Sequence, residues 1–199
     1  MSSEHSVVGL VMAAGFSHRF GALDKRALKV PSGATLLAET CKAVTQICPR
    51  SWVVLREEDD ANKLGLNEST MIIRTECAAL GLGASMADGF RALLLAEFAD
   101  SAAVFLGDMP FIQQATCAPL FEASGKSSIV RPVLNGQPGH PVVFGRCFWP
   151  QLVLLKGGET GSTILQRNAQ WVNHVPVDTR DVCLDIDRFR DISKLITMY

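Results

Sequence analysis

VVGLVMAAGFSHRFGALDK, residues 7–25, decides how the rest of the chain is read. Its first half is an apolar run, Val7, Val8, Leu10, Val11 and Met12, with no polar position to face solvent. Such a run fits a strand covered on both faces, the usual condition in a parallel sheet. It stops at Ala13-Ala14-Gly15, small residues that let backbone N–H groups come close to a ligand. Ser17, Arg19, Gly21 and Lys25 follow, and a loop combining backbone donors with two fixed cations suits a polyphosphate. The alternative is an ordinary strand–loop–helix turn with incidental charges. The stretch is neither a Walker loop, because Lys25 lies four residues after Gly21, nor a G-x-G-x-x-G dinucleotide fingerprint.

Working outward, 199 residues suffice for one domain with a sizeable core, and 48% apolar content argues against disorder. A net charge of −1 without a long basic run makes nucleic acid an unexpected partner. The six cysteines form no C-x-x-C pair, so they read as reduced thiols in a cytoplasmic protein rather than as metal ligands. The start, MSSEHSVV, lacks a basic region, and no apolar stretch reaches the ~18 residues of a membrane span, so neither a signal peptide nor a membrane association is expected.

Strand and helix signals alternate along the chain. Strands are expected at 52–55, 71–74, 101–106 and 128–132, and helices at 35–47, 85–98 and 113–124. The acidic run Glu57-Glu58-Asp59-Asp60 reads as a solvated loop capping a helix from Ala61. This alternation predicts an α/β fold with a doubly wound, mostly parallel sheet. It breaks at the turn dipeptides Asn135-Gly136 and Pro138-Gly139, after which residues 141–144 look like a returning strand, a small antiparallel excursion suited to an acceptor pocket. Short helices at 147–155 and 161–168, a strand at 171–177 and a final helix to about 197 complete the pattern.

Ligands of open parallel sheets sit beyond the carboxyl ends of the strands, where three of these motifs fall. An aspartate at such a tip, Asp108 in Leu106-Gly107-Asp108-Met109-Pro110-Phe111-Ile112, can reach Mg²⁺, which takes one or two carboxylates plus waters and phosphate oxygens. It can equally be a turn residue before Pro110. Asp185 and Asp187 share one face of an extended segment, or else form the acidic start of the last helix. Ser85, after Gly81-Leu82-Gly83-Ala84, has a bland reading as a helix N-cap, and His140 as a packed loop histidine.

The opening loop resembles the signature of the MobA-like NTP transferases, A-(A/G)-G-x-S-x-R-x-G and a Lys shortly after, at Ala13, Ala14, Gly15, Ser17, Arg19, Gly21 and Lys25. Residues 106–112 resemble the L-G-D-M-P-(F/Y)-(I/V/L) motif of the family's cytidylyl branch, and residues 136–144 its G-x-P-G-H-P-V-x-F motif. Residues 81–85 are similar to a G-x-x-x-S element. Asp185-Ile186-Asp187 is similar to D-(I/V)-D-T-P-E-D, with Arg188-Phe189-Arg190 in place of Thr-Pro-Glu and Asp191 retained. Gly158-Glu159-Thr160-Gly161-Ser162-Thr163 departs from G-D-x-G-A-R at its acid and its cation.

The resemblance covers nearly the whole chain and is closest to molybdenum cofactor cytidylyltransferases. It implies one nucleotidyltransferase domain over residues 1–199, with a three-layer Rossmann-like fold. It implies transfer of a cytidylyl group from CTP to the terminal phosphate of molybdopterin, with Mg²⁺ and release of pyrophosphate. Lys25, Arg19 and Asp108 would be catalytic. Ala13, Ala14, Gly15, Ser17, Gly21, Lys25, Gly81, Ser85 and Asp108 would bind the nucleotide, and Pro138, Gly139, His140 and Pro141 the acceptor. Asp108 and Asp187 would hold the metal, with Asp185 as the alternative second ligand. Contact with a molybdenum hydroxylase is a further expectation. The alternatives are a guanylyltransferase, whose branch the Gly21-to-Lys25 spacing favours, a transferase for another small phosphate, and a non-catalytic chaperone of the cofactor.

Overall fold

Strict alternation of apolar side chains between two buried faces builds the central sheet. In the computed structural model, which describes residues 6–16, 23–184 and 186, β1 (Val7–Met12) sends Val8, Leu10 and Met12 to one face and Val11 to the other. β4 (Ser101–Leu106) does the same with Ala102 and Val104 against Ala103 and Phe105. Both faces are covered, so the strands read as continuous apolar runs. β2 (Ser51–Arg56) and β3 (Met71–Thr75) extend the sheet in parallel on one side of β1, and β4 pairs with β1 in parallel on the other.

The described sheet has eight strands in the order β3-β2-β1-β4-β7-β5-β6, with β8 paired to β5. β5 (Ile129–Leu134) and β6 (Gln137–Pro138) form a hairpin across Asn135-Gly136, both at positive φ (49° and 81°), as a two-residue turn of the primed kind requires. β7 (Val142–Gly145) then runs antiparallel between β4 and β5, and β8 (Val172–Pro176) lies parallel to β5. The antiparallel excursion is therefore built into the middle of the sheet.

Helices cover both faces. α1 (Leu36–Ile47), N-capped by Thr35 onto the Ala38 amide, and α3 (Gln114–Glu122) supply the layer that holds Leu37, Val44, Cys117 and Leu120. α2 (Leu82–Ala96) and α4 (Trp149–Val153) supply the other, where Phe90 meets Phe144 and Trp149 edge-on at ring-centroid distances of 6.0 and 5.8 Å. α5 (Gly161–Arg167) begins with a reciprocal Thr160/Thr163 capping box. Burial raises the thiols of Cys41 and Cys48 to about 12, and all six cysteines are free. Among the described residues no helix is long and apolar enough to cross a membrane.

Two expectations change. Residues 61–65 form turns rather than a helix, because Gly65, at φ 78°, reverses the chain after one turn. Asp59, placed in a solvated run by the sequence, has its side chain only 5% exposed and ion-paired. The expected final helix lies outside the described residues.

Candidate active site

Strand order reverses at β1. From it the chain goes to β2 and β3 on one side and returns to β4 on the other, which leaves a crevice beyond the paired ends Met12 and Leu106. The segment after β1 begins at Ala13, and the one after β4 at Gly107-Asp108. The two segments run close together at Gly107: a Cβ on it would stand 3.0 Å from the Ala13 Cβ and 3.1 Å from the Met12 carbonyl, to which Gly107 N–H donates.

The two segments meet through charge. Asp24 caps a 3-10 turn at Lys25–Ala27, and the Lys25 ammonium donates to Asp108 Oδ2 and, at 3.3 Å, to the Ile186 carbonyl. The Lys25 and Asp108 side chains are only 17% and 11% exposed, so the loop lysine is held largely out of solvent. Ile186 N–H in turn donates to the Asp108 carbonyl at 3.3 Å. The middle residue of Asp185-Ile186-Asp187 thus packs against the end of β4. Ser17, Arg19, Gly21, Asp185 and Asp187 lie outside the described residues.

Asp181 delivers that C-terminal segment. Its carboxylate accepts from the Gln113 amide and the Thr116 hydroxyl, capping α3 from a distance, while Thr179 donates to its other oxygen. The next residue, Val182, accepts from His140 N–H at 2.8 Å and packs onto Gly139, where a Cβ would lie 2.6 Å from the Val182 carbonyl. Leu106, Met109, Gln137, Pro138, Gly139, His140, Val182 and Cys183 line a cavity of about 310 Å³ on the sequence neighbours of Asp108. Pro141 follows His140 through a cis peptide at the start of β7. Among the described residues His140 Nδ1 is buried without a hydrogen-bond partner, and burial, reinforced by the Arg131 cation, pushes the imidazole down to about 4. It is neutral at physiological pH.

Ala13 and Ala14 are buried, Ala14 within the α2-side core at 4% exposure, whereas Gly15 is exposed. Gly81, at φ 103°, is the N-cap of α2, which corrects the N-cap reading of Ser85: that serine is buried inside the first turns of the helix. Glu159 accepts from the Lys156 amide and from Arg167 and so closes the turn before α5.

An ion cluster beside the loop escaped the sequence reading. Arg26, 3% exposed, binds Asp24 and Asp59, and Arg56 binds the same two carboxylates while its guanidinium lies 4.7 Å from the Phe16 ring centroid. Burial alone would raise both carboxyls, but hydrogen bonds and charge from Arg26 and Arg56 hold them below the usual range, and the carboxylates raise Arg26. Opposite charges at Asp24 and Arg26 were a visible signal. Nothing local distinguished Asp59 from its acidic neighbours.

A family model described as the MobA-like NTP transferase domain matches residues 9–174. A search of curated proteins gave no match. Among solved structures, the Rv0371c homologue from Mycobacterium sp. strain JC1 is 26% identical with a TM-score of 0.81, over 97% of this chain and 98% of that one. Rv0371c of Mycobacterium tuberculosis H37Rv in complex with manganese is 21% identical with a TM-score of 0.75, over 98% and 100%. A nucleotidyl transferase from Methanothermobacter, Mth528, is 18% identical with a TM-score of 0.80, over 98% and 99%. The last two are likenesses of fold.

Proposed function

Because the chain belongs to the MobA-like NTP transferase family and is a nucleotidyltransferase, we propose that it moves the cytidylyl group of CTP onto the terminal phosphate of a molybdopterin-type acceptor. The observation that carries this reading is the Lys25–Asp108 contact, which ties the segment following β1 to the end of β4 at the switch point, next to a cavity able to take a second substrate.

In this reading the triphosphate lies over the loop of Ala13, Ala14, Gly15, Ser17 and Gly21, with Arg19 and Lys25 as countercharges. Gly81 and Ser85 serve the nucleoside. Pro138, Gly139, His140 and Pro141, which border the cavity beside β7, hold the acceptor. A terminal phosphate oxygen of the acceptor attacks the α-phosphorus in line. One P–O bond forms as the bond to the β-phosphate oxygen breaks, and pyrophosphate leaves with the electron pair. Catalysis here is positioning and charge stabilisation, without a protein nucleophile.

Asp108 fits a divalent cation: it is a hard oxygen donor at a strand end and already accepts positive charge, in the form of the Lys25 ammonium. Among the described residues no group of three or more His, Cys, Asp or Glu side chains forms a rival site. Asp108 would hold Mg²⁺ together with Asp187, or with Asp185, and the ion would supply neutralisation of the triphosphate.

The test is a screen of nucleoside triphosphates against phosphorylated acceptors for pyrophosphate release. Release with CTP and molybdopterin supports the reading. Release with GTP, or only with another phosphate, replaces the substrate, and binding of the acceptor without release makes the protein a carrier.

A further inference from the structure

The buried guanidinium of Arg26 has five N–H groups, and all five are engaged. Nε donates to Asp24 at 2.9 Å, Nη1 to the Ala13 carbonyl at 2.5 Å and to Asp59 at 2.6 Å, and Nη2 to Asp24 at 2.6 Å and to Asp59 at 2.7 Å. The guanidinium has no donor left for a phosphate. With Arg56, the two arginines and two aspartates also cancel in charge, so the cluster adds no net attraction for an anion.

Its value is therefore positional. Arg26 and Asp24 stand on either side of Lys25, and their side chains fix the turn that aims its ammonium at Asp108. Arg26 also holds the Ala13 carbonyl. In a planar trans peptide the carbonyl and the following N–H point in opposite directions, so the Ala14 N–H is turned away from the cluster. Asp59 and Arg56 root the cluster at the end of β2, and Arg74 of β3 donates to the carbonyls of both at 2.6 and 2.9 Å. One side chain thus sets the loop's first peptide and its last cation against the same two strands.

We propose that Arg26, held by Asp24 and Asp59, is a positioning residue for nucleotidyl transfer that acts through Lys25 and the Ala13–Ala14 peptide. This rests on the nucleotidyltransferase reading of the Lys25–Asp108 site. A planar fork matched to two carboxylates and a carbonyl is not reproduced by the single ammonium of lysine. A loop displaced by about 1 Å costs on the order of 10²-fold in rate.

The experiment is a double-mutant cycle of Arg26→Lys and Lys25→Ala, read as pyrophosphate release well below each melting temperature. Arg26→Lys should lower kcat by about 10- to 100-fold in the wild-type background and by a clearly smaller factor on top of Lys25→Ala, where only the route through the Ala13–Ala14 peptide is left, because neighbours acting as one unit are not additive. Equal losses in both backgrounds, or wild-type kcat in Arg26→Lys, overturn the proposal. If Arg26→Lys does not fold, Asp24→Asn, at the more exposed end of the cluster, takes its place in the cycle under the same criteria. A wild-type protein that releases no pyrophosphate with any nucleotide and acceptor overturns the functional reading instead, so the two failures are distinct.

Discussion

Replacing Lys25 by alanine removes the ammonium from Asp108. The sequence places Lys25 on a polar loop, and the structure gives a pair with side chains 17% and 11% exposed. Breaking a fully buried pair costs about 3–5 kcal/mol and an exposed one about 0–1, so this partly buried pair should cost about 1–3 kcal/mol. At about 2–4 °C per kcal/mol for a chain of this size, the melting temperature should fall by roughly 2–12 °C. Turnover should fall by about 10²–10³-fold, the scale of a lost charge-stabilising contact. A second signature separates this from general damage. Millimolar Mn²⁺ returns positive charge to Asp108 and should raise the melting temperature of Lys25→Ala more than that of the wild type, where the ammonium competes. Calorimetry with and without Mn²⁺, paired with pyrophosphate release, reads all three. A melting temperature within about 1 °C of the wild type, or wild-type turnover by the folded variant, would refute the reasoning.

Other expectations follow from single residues. The folded value of His140, about 4, lies below its ordinary 6.5, so the unfolded chain takes up this proton first and the protein loses stability as pH falls from about 6.5 to about 4. His140→Gln should flatten urea-unfolding stability across that window. Asp24 and Asp59, whose values are lowered from 3.8, withdraw their contribution only at lower pH, and an unchanged slope in the variant would remove the assignment. Gly139→Ala sets a Cβ 2.6 Å from the Val182 carbonyl. It should cost about 1–3 kcal/mol by overpacking and raise the acceptor KM while the CTP KM holds, and a steady-state matrix in both substrates checks this.

The parallel half of the sheet was legible because β1 and β4 are buried on both faces, which leaves continuous apolar runs ending in Ala13-Ala14-Gly15 and Gly107-Asp108. The hairpin was legible because Asn135-Gly136 can adopt the required positive φ at both positions. That β7 enters between β4 and β5 was not, since strand order depends on which edge a strand meets rather than on its own residues. Ser85 looked like a cap because it follows a glycine-rich turn, but Gly81 takes that place and the helix starts earlier. Asp59 and Asp181 were lost among surface acids for a related reason. Each acquires its role from partners far along the chain, Arg26 in one case and the Gln113 amide in the other.

The central claim is that Asp108 and Lys25 together serve metal-dependent nucleotidyl transfer. Incubating the protein with α-phosphorus-labelled CTP, Mg²⁺ and molybdopterin, for wild type and Asp108→Asn in parallel, tests it directly. The account predicts label in the acceptor with the wild type, none after chelation, and at least about 10²-fold less with Asp108→Asn, the scale expected for loss of one charge-stabilising group. Equal labelling by the two folded proteins, or labelling indifferent to chelation, would contradict it.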